Sequence, residues 1–87
     1  VYFIEQAKSY YRGLGAERSY LSSYYWASLA SASGARQGEM ILANLHNLAR
    51  NLSATEFEIW SNAIATVEKL TLDDWLVFKL AERINSE

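Results

Sequence analysis

Not one proline interrupts the 87 residues of this chain. Proline removes a backbone hydrogen-bond donor and breaks helices, and an average chain of this length would contain about four prolines. Its absence favours helix along the whole chain. Because 51% of the residues are hydrophobic, the chain can build the single core that a domain of this size requires. We therefore predict an all-α fold, a small bundle of four to five short helices in a single domain.

Other features of the composition exclude several classes of protein. The chain has no cysteine, which removes disulfide frameworks, thiolate zinc sites and thiol catalysis together. No apolar stretch approaches the roughly 18 residues of a membrane-spanning helix, and no signal peptide is recognisable. The net charge of −2 provides no general attraction for nucleic acid or anionic lipid. We therefore expect a cytoplasmic protein without a membrane span.

Glycines and small residues organise the first half of the chain. Gly13 and Gly15 should end the first helix, because glycine readily adopts the left-handed backbone conformation of a helix stop. Gly34 favours a break between a second and a third helix over the alternative, one helix from 16 to 51. Small residues in the second helix, among them Ala27 and Ala30, should let another helix approach closely. The predicted helices cover residues 1–12, 16–33, 35–51, 54–69 and 72–85.

Two capping patterns mark the starts of the last two predicted helices. Ser53 and Glu56 have the spacing of a capping box, in which each side chain binds the backbone N–H of the other residue. Thr71 is a suitable N-cap for the final helix, with Asp73 and Asp74 in the first turn, where the helix dipole favours carboxylates. The sequence therefore predicts two neighbouring helices with a very short connection at Thr71.

The final predicted helix is apolar over more than one face. Val77 and Phe78 widen its apolar arc beyond the width that a single contact with the core requires. Such an arc is typical of a helix that is buried on two sides, for example by another subunit.

No arrangement of residues in the sequence indicates catalysis, a metal or a cofactor. His46 is the only histidine and lies on the polar face of its predicted helix, so we expect it to face solvent. It lacks the Glu-x-x-His pairing of metal sites in helical bundles. Glu56, Asp73 and Asp74 already have a role at helix N-termini, and the serines lack a nearby histidine base. We therefore predict a protein that is not an enzyme and that needs neither metal nor cofactor.

All six tyrosines lie within residues 2–25, and Trp26 follows directly. Consecutive helical residues point about 100° apart, so a small core should not hide all of these bulky groups. Exposed tyrosine and tryptophan are enriched at protein interfaces; the alternative is a wide core face whose hydroxyls reach water. The predicted partner-binding residues are Tyr10, Tyr11, Arg12, Arg18, Tyr20, Tyr24, Tyr25 and Trp26.

The sequence thus favours a non-enzymatic protein-interaction module: an adaptor, an assembly subunit or an inhibitor. It would bind a protein partner, itself or both through an aromatic helical surface. Five basic against three acidic residues in 1–51, and three against seven in 52–87, suit pairwise self-association, so we expect a homo-oligomer. The alternative is a nucleic-acid-associated regulator, in which Lys8, Arg12 and Arg18 bind phosphates and the tyrosines stack on bases.

Overall fold

The structure, a computed structural model, describes the backbone of residues 2–86 and the side chains of residues 2–77, 79–81 and 83. Within this range it contains four α-helices and no strand. The helices are α1 (Tyr2–Arg12), α2 (Tyr20–Ala32), α3 (Arg36–Ala49) and α4 (Ala54–Ser86). The prediction of a small all-α bundle is confirmed, although α4, with 33 residues, is not a short helix.

Glycines with positive φ separate the first three helices. Gly13 has a φ of 73° after α1, and Gly34 has a φ of 90° between α2 and α3, so the predicted break within residues 16–51 is confirmed. The predicted start of α2 at residue 16 is wrong. Ser19 is the N-cap, and its side chain accepts a hydrogen bond from the backbone N–H of Ser22. The N–H of Ser19 itself donates to the carbonyl of Tyr10, which fixes the loop against α1.

The predicted capping box begins α4. The Oγ of Ser53 accepts a hydrogen bond of 3.2 Å from the N–H of Glu56, and Glu56 Oε1 accepts one of 3.1 Å from the N–H of Ser53. Both bonds use backbone donors that the first turn of a helix leaves free. They lower the pKa of the Glu56 carboxyl below its ordinary value of 4.5.

The predicted break at Thr71 is wrong, because α4 continues through this residue. The Thr71 hydroxyl donates to the carbonyl of Val67, one turn earlier, at 2.7 Å. This hydrogen bond within the helix satisfies a buried hydroxyl without interrupting the backbone. No glycine or proline near residue 71 ends the helix, so one helix replaces the predicted ranges 54–69 and 72–85.

The central helix of the bundle is α2, which contacts α1, α3 and α4. The Oγ of its buried Ser23 donates to the carbonyl of Ala7 in α1 at 2.9 Å. On the α3 side, Gly38 lies so close that an added Cβ would be 2.8 Å from the carbonyl oxygen of Ala27 and 2.9 Å from the Cβ of Ala30. The predicted close approach along the small residues of α2 is thus observed, with Gly38 as the partner.

The long helix α4 determines the shape of the molecule. Its 33 residues span about 50 Å at 1.5 Å per residue, which matches the longest dimension of 50 Å. Ile64 joins the buried cluster with Tyr24 and Leu45. From Leu76 to Arg83, by contrast, every described side chain of α4 is exposed. The C-terminal end of α4 thus lies outside the cover of the other three helices.

Candidate interaction surface

The eight predicted partner-binding residues differ widely in solvent exposure. Two are exposed, Arg12 and Arg18. Five are partly buried: Tyr10, Tyr11, Tyr20, Tyr25 and Trp26. Tyr24 is buried, with 4% of its surface exposed. The eight residues therefore do not form one exposed aromatic surface.

Tyr24 belongs to the core rather than to a contact surface, which corrects its selection from the sequence. Its ring meets the ring of His46 edge to face, with centroids 5.7 Å apart. Its hydroxyl donates a hydrogen bond of 2.6 Å to Glu68 Oε1 on α4. Burial raises the pKa of the Tyr24 phenol well above its ordinary value of 10, and the hydrogen bond and charge of Glu68 raise it further.

Tyr25 and Trp26 join the N-terminal helices to each other and to α4. The Tyr25 hydroxyl donates to Asp74 on α4. Burial, followed by this hydrogen bond and the nearby charge, raises the pKa of Tyr25 to about 12. Trp26 stacks on Phe3 with centroids 6.0 Å apart and meets the edge of Tyr2 at 5.6 Å. These rings stabilise the packing of the monomer through aromatic contacts.

Tyr11 and Tyr20 form a second aromatic pair, with centroids 5.7 Å apart and ring planes tilted by 54°. Both rings pack against the buried cluster around Tyr24 and Leu45. A helix with a single buried face cannot bury two consecutive aromatic residues, which point about 100° apart. Because three helices surround α2, consecutive aromatic residues on it find partners in different directions.

The outer face of the C-terminal half of α4 carries a group of exposed apolar residues. We call this the leucine face; its side chains are 54–64% exposed, and its members are Leu70, Leu72, Leu76, Val77 and Leu80. Leu80 lies nine residues after the buried Thr71, which places it about 180° away around the helix. The centre of the leucine face therefore lies opposite the side of α4 that packs on α2, whereas Leu70 lies at its edge, beside Leu21 and Tyr25 of α2.

The same outer face is polar in the N-terminal half of α4. Glu58, Asn62 and Thr66 follow one another at four-residue spacing and are all exposed, with the exposed Ile59 beside them. A helix with a solvated outer face ordinarily shows this polar pattern. The change to leucine after residue 69 falls in the stretch where the sequence shows a wide apolar arc around Val77.

A furrow of about 310 Å³ separates α1 from α3. Lys8 and Arg12 lie along its α1 side, and Met40 and Ile41 along its α3 side. Lys8, Arg12 and Met40 are exposed. This furrow is the basic region of the N-terminal half, although its tyrosine, Tyr11, packs on Tyr20.

A second furrow, of about 410 Å³, lies between α3 and α4 and contains His46, Arg50 and Glu68. His46 is exposed, as predicted. Trp60 lines the same furrow, and its Nε1 is buried without a hydrogen-bond acceptor in the part of the chain that the structure describes. In that part, no three histidine, aspartate or glutamate side chains come together as metal ligands would.

Among the residues that the structure describes, no helix combines the length and the apolarity that crossing a membrane requires. The fold and its exposed apolar helix define the class, a small all-α bundle with an uncovered helix face. Comparison of the chain with models of known protein families, with curated proteins and with solved structures finds no match.

Proposed function

We propose that the chain is a non-enzymatic protein-interaction module whose docking surface is the leucine face of α4. The observation that supports this proposal is the exposure of five apolar side chains on one side of a helix that is already packed on its other side. Contiguous exposed apolar patches of this kind are typical of protein interaction sites. The proposal keeps the class expected from the sequence and moves the contact surface from the aromatic residues of α1 and α2 to α4.

The energetics favour a partner that is itself apolar. Complete burial of a leucine or valine side chain contributes about 1.5–3 kcal/mol. Five side chains that are slightly more than half exposed thus provide roughly 4–9 kcal/mol per copy. Association costs about 4–15 kcal/mol in lost freedom of motion. Over most of this range a single leucine face does not overcome the cost of association, so a partner that contributes a comparable apolar surface is favoured.

Site-specific photocross-linking tests the proposal. A photoreactive amino acid at Leu76 should yield cross-linked protein adducts in the cells that produce the chain. The same amino acid at Asn62, on the polar outer face of the same helix, should not. Changing Leu72 and Leu80 to lysine should abolish the adducts formed from position 76. Equal cross-linking from positions 62 and 76, or none from either, would refute a docking role for the leucine face.

Nucleic-acid binding is a second candidate, supported by the furrow between α1 and α3 with its exposed Lys8 and Arg12. Binding through phosphates weakens steeply as salt rises. Fluorescence anisotropy with a labelled single-stranded oligonucleotide should then show a strong salt dependence and a loss of affinity in the Arg12→Ala/Arg18→Ala variant. Lack of binding at low salt would remove this candidate.

A further inference from the structure

Two of the leucines, Leu76 and Leu80, lie between charged residues of opposite sign on the outer side of α4. Asp73, Leu76, Leu80 and Arg83 follow one another at spacings of three, four and three residues. All four side chains are exposed. At 3.6 residues per turn they lie within about 60° of the direction opposite Thr71. The stripe therefore runs acidic, apolar, apolar, basic on the outer side of α4.

We infer that this stripe binds the same stripe of a second copy of the chain, with the two α4 helices antiparallel. This inference rests on the proposed role of the leucine face and names its partner. In the antiparallel arrangement, Leu76 of each copy lies opposite Leu80 of the other. Asp73 of each copy then lies opposite Arg83 of the other, so two ion pairs flank two apolar layers.

Charge complementarity selects this orientation over the parallel one. Two parallel copies in register would place Asp73 opposite Asp73 and Arg83 opposite Arg83, and like charges across an interface oppose association. The 3-4-3 spacing is the same in both directions, which is what the two-fold symmetry of an antiparallel pair requires. The antiparallel pair thus matches both the apolar layers and the charges, whereas the parallel pair matches the apolar layers alone.

The rest of the fold leaves room for this pairing. Every described side chain of α4 from Leu76 to Arg83 is exposed, so these side chains are accessible to a second copy. Antiparallel pairing about a point between Leu76 and Leu80 places the two bundles at opposite ends of the shared stretch. Leu72 and Val77 lie on the two sides of the stripe and extend the apolar contact.

Sedimentation equilibrium of the purified full chain and its variants tests the inference. The wild-type chain should be dimeric at roughly 100 μM. Leu76→Lys should raise the dimer Kd by at least about tenfold, because it places a charge in an apolar layer. Asn62→Lys, on the polar half of the same outer face, should leave the Kd unchanged. Far-UV circular dichroism checks that each variant remains helical.

A charge exchange tests the orientation. Asp73→Arg should weaken the dimer several-fold, and Asp73→Arg combined with Arg83→Asp should restore it, because the exchanged pair is again complementary in the antiparallel arrangement. In a parallel dimer the double variant has like charges at both positions, just as the wild type would. Failure of the double variant to recover the affinity lost in Asp73→Arg would overturn the antiparallel pairing.

The absence of cysteine from the chain allows a direct check by disulfide formation. A mixture of Leu76→Cys and Leu80→Cys variants should form a disulfide-linked dimer faster than either variant alone. Faster self-cross-linking of Leu76→Cys would indicate the parallel arrangement and contradict the inference.

A chain that stays monomeric at roughly 1 mM would also contradict the inference. Specific photocross-linking of position 76 to another protein would in that case still support the proposed function. A dimer that tolerates Leu76→Lys would contradict the inference, because its contact would lie outside the leucine face, whereas only a lack of specific photocross-linking from position 76 would contradict the proposed function.

Discussion

Tyr24 and Glu68 are joined by a 2.6 Å hydrogen bond in which a buried phenol on α2 donates to an exposed carboxylate on α4. Glu68 lies one turn after Ile64, whose side chain is part of the buried cluster with Tyr24. Tyr25 makes the equivalent bond to Asp74, about two turns further along α4. Two consecutive tyrosines of α2 thus bind α4 at two positions, Glu68 and Asp74.

Removal of the Tyr24 hydroxyl should destabilise the fold modestly. Tyr24→Phe keeps the buried ring and loses the hydrogen bond, while the exposed Glu68 carboxylate regains water. We therefore expect the free energy of unfolding to fall by about 1 kcal/mol, measured by urea denaturation. Tyr2→Phe, which alters an exposed tyrosine, should change it by less than about 0.5 kcal/mol. Equal effects of the two substitutions would contradict a stabilising role for the bond to Glu68.

Alkaline pH should destabilise the protein through the same two tyrosines. The folded state raises the pKa of Tyr25 to about 12 and that of Tyr24 also above its ordinary value, whereas the unfolded chain titrates near 10. The folded state therefore holds protons that the unfolded chain has lost. The contribution is complete below about pH 10 and is lost as pH rises through about 12.

Urea denaturation between about pH 8 and pH 11.5 measures this loss, whose slope is at most about 1.4 kcal/mol per pH unit for each phenol. The Tyr24→Phe/Tyr25→Phe variant lacks both phenols and should lose less stability over the alkaline part of this range. An unchanged slope in this variant would assign the alkaline loss to other groups.

The sequence predicted those parts of the fold that depend on local chemistry. Gly13 and Gly34 adopt the left-handed conformation that ends a helix. The Ser53 side chain caps the first turn of α4 by accepting a hydrogen bond from the N–H of Glu56. Local patterns failed where tertiary packing decides. The helix α2 begins at Tyr20, with Ser19 as its N-cap, rather than near residue 16, because the N–H of Ser19 is bound to the carbonyl of Tyr10.

Exposure of the aromatic residues could not be read from helical spacing alone. Two neighbouring residues such as Tyr24 and Tyr25 point about 100° apart, which on a helix packed on one side leaves at least one of them in solvent. In the structure α2 is surrounded by three helices, so both rings find partners. The wide apolar arc of the last helix, around Val77, predicts burial on a second side. Its described leucine and valine side chains are exposed within one chain, so burial by another subunit stays a prediction.

Gly38 should tolerate no larger side chain. An alanine Cβ at this position would lie 2.7 Å from the backbone nitrogen of Ser31 and 2.8 Å from the carbonyl oxygen of Ala27. Because both atoms belong to the backbone of α2, only a displacement of α3 relieves the contact. Such overpacking costs about 1–3 kcal/mol, occasionally more, against a gain of roughly 0.5–1 kcal/mol in helix propensity.

We therefore expect Gly38→Ala to lower the free energy of unfolding, measured by urea denaturation. Gln37→Ala, which alters the exposed neighbour, should change it by less than about 0.5 kcal/mol. A Gly38→Ala variant more stable than the wild type would mean that α2 and α3 are further apart than the structure indicates.

Ser53 and Thr71 are two hydroxyl residues with similar capping patterns in the sequence, and they should respond differently to substitution. Ser53 is an N-cap that accepts the N–H of Glu56, so Ser53→Ala should cost about 1 kcal/mol. Thr71 lies inside α4, and its hydroxyl donates to a carbonyl one turn earlier. Thr71→Val keeps the buried shape and should cost less than about 0.5 kcal/mol.

The comparison decides whether α4 is one helix. If Thr71 capped a separate helix, Thr71→Val would cost as much as Ser53→Ala, because valine cannot accept the free N–H groups of a first turn. Backbone NMR chemical shifts of residues 69–73 provide an independent measurement. Helical values through this stretch are expected for a continuous helix, whereas an extended value at Thr71 would indicate the cap. Continuity matters for the proposed dimer, because it holds the leucine face in a fixed direction opposite the contact of α4 with α2.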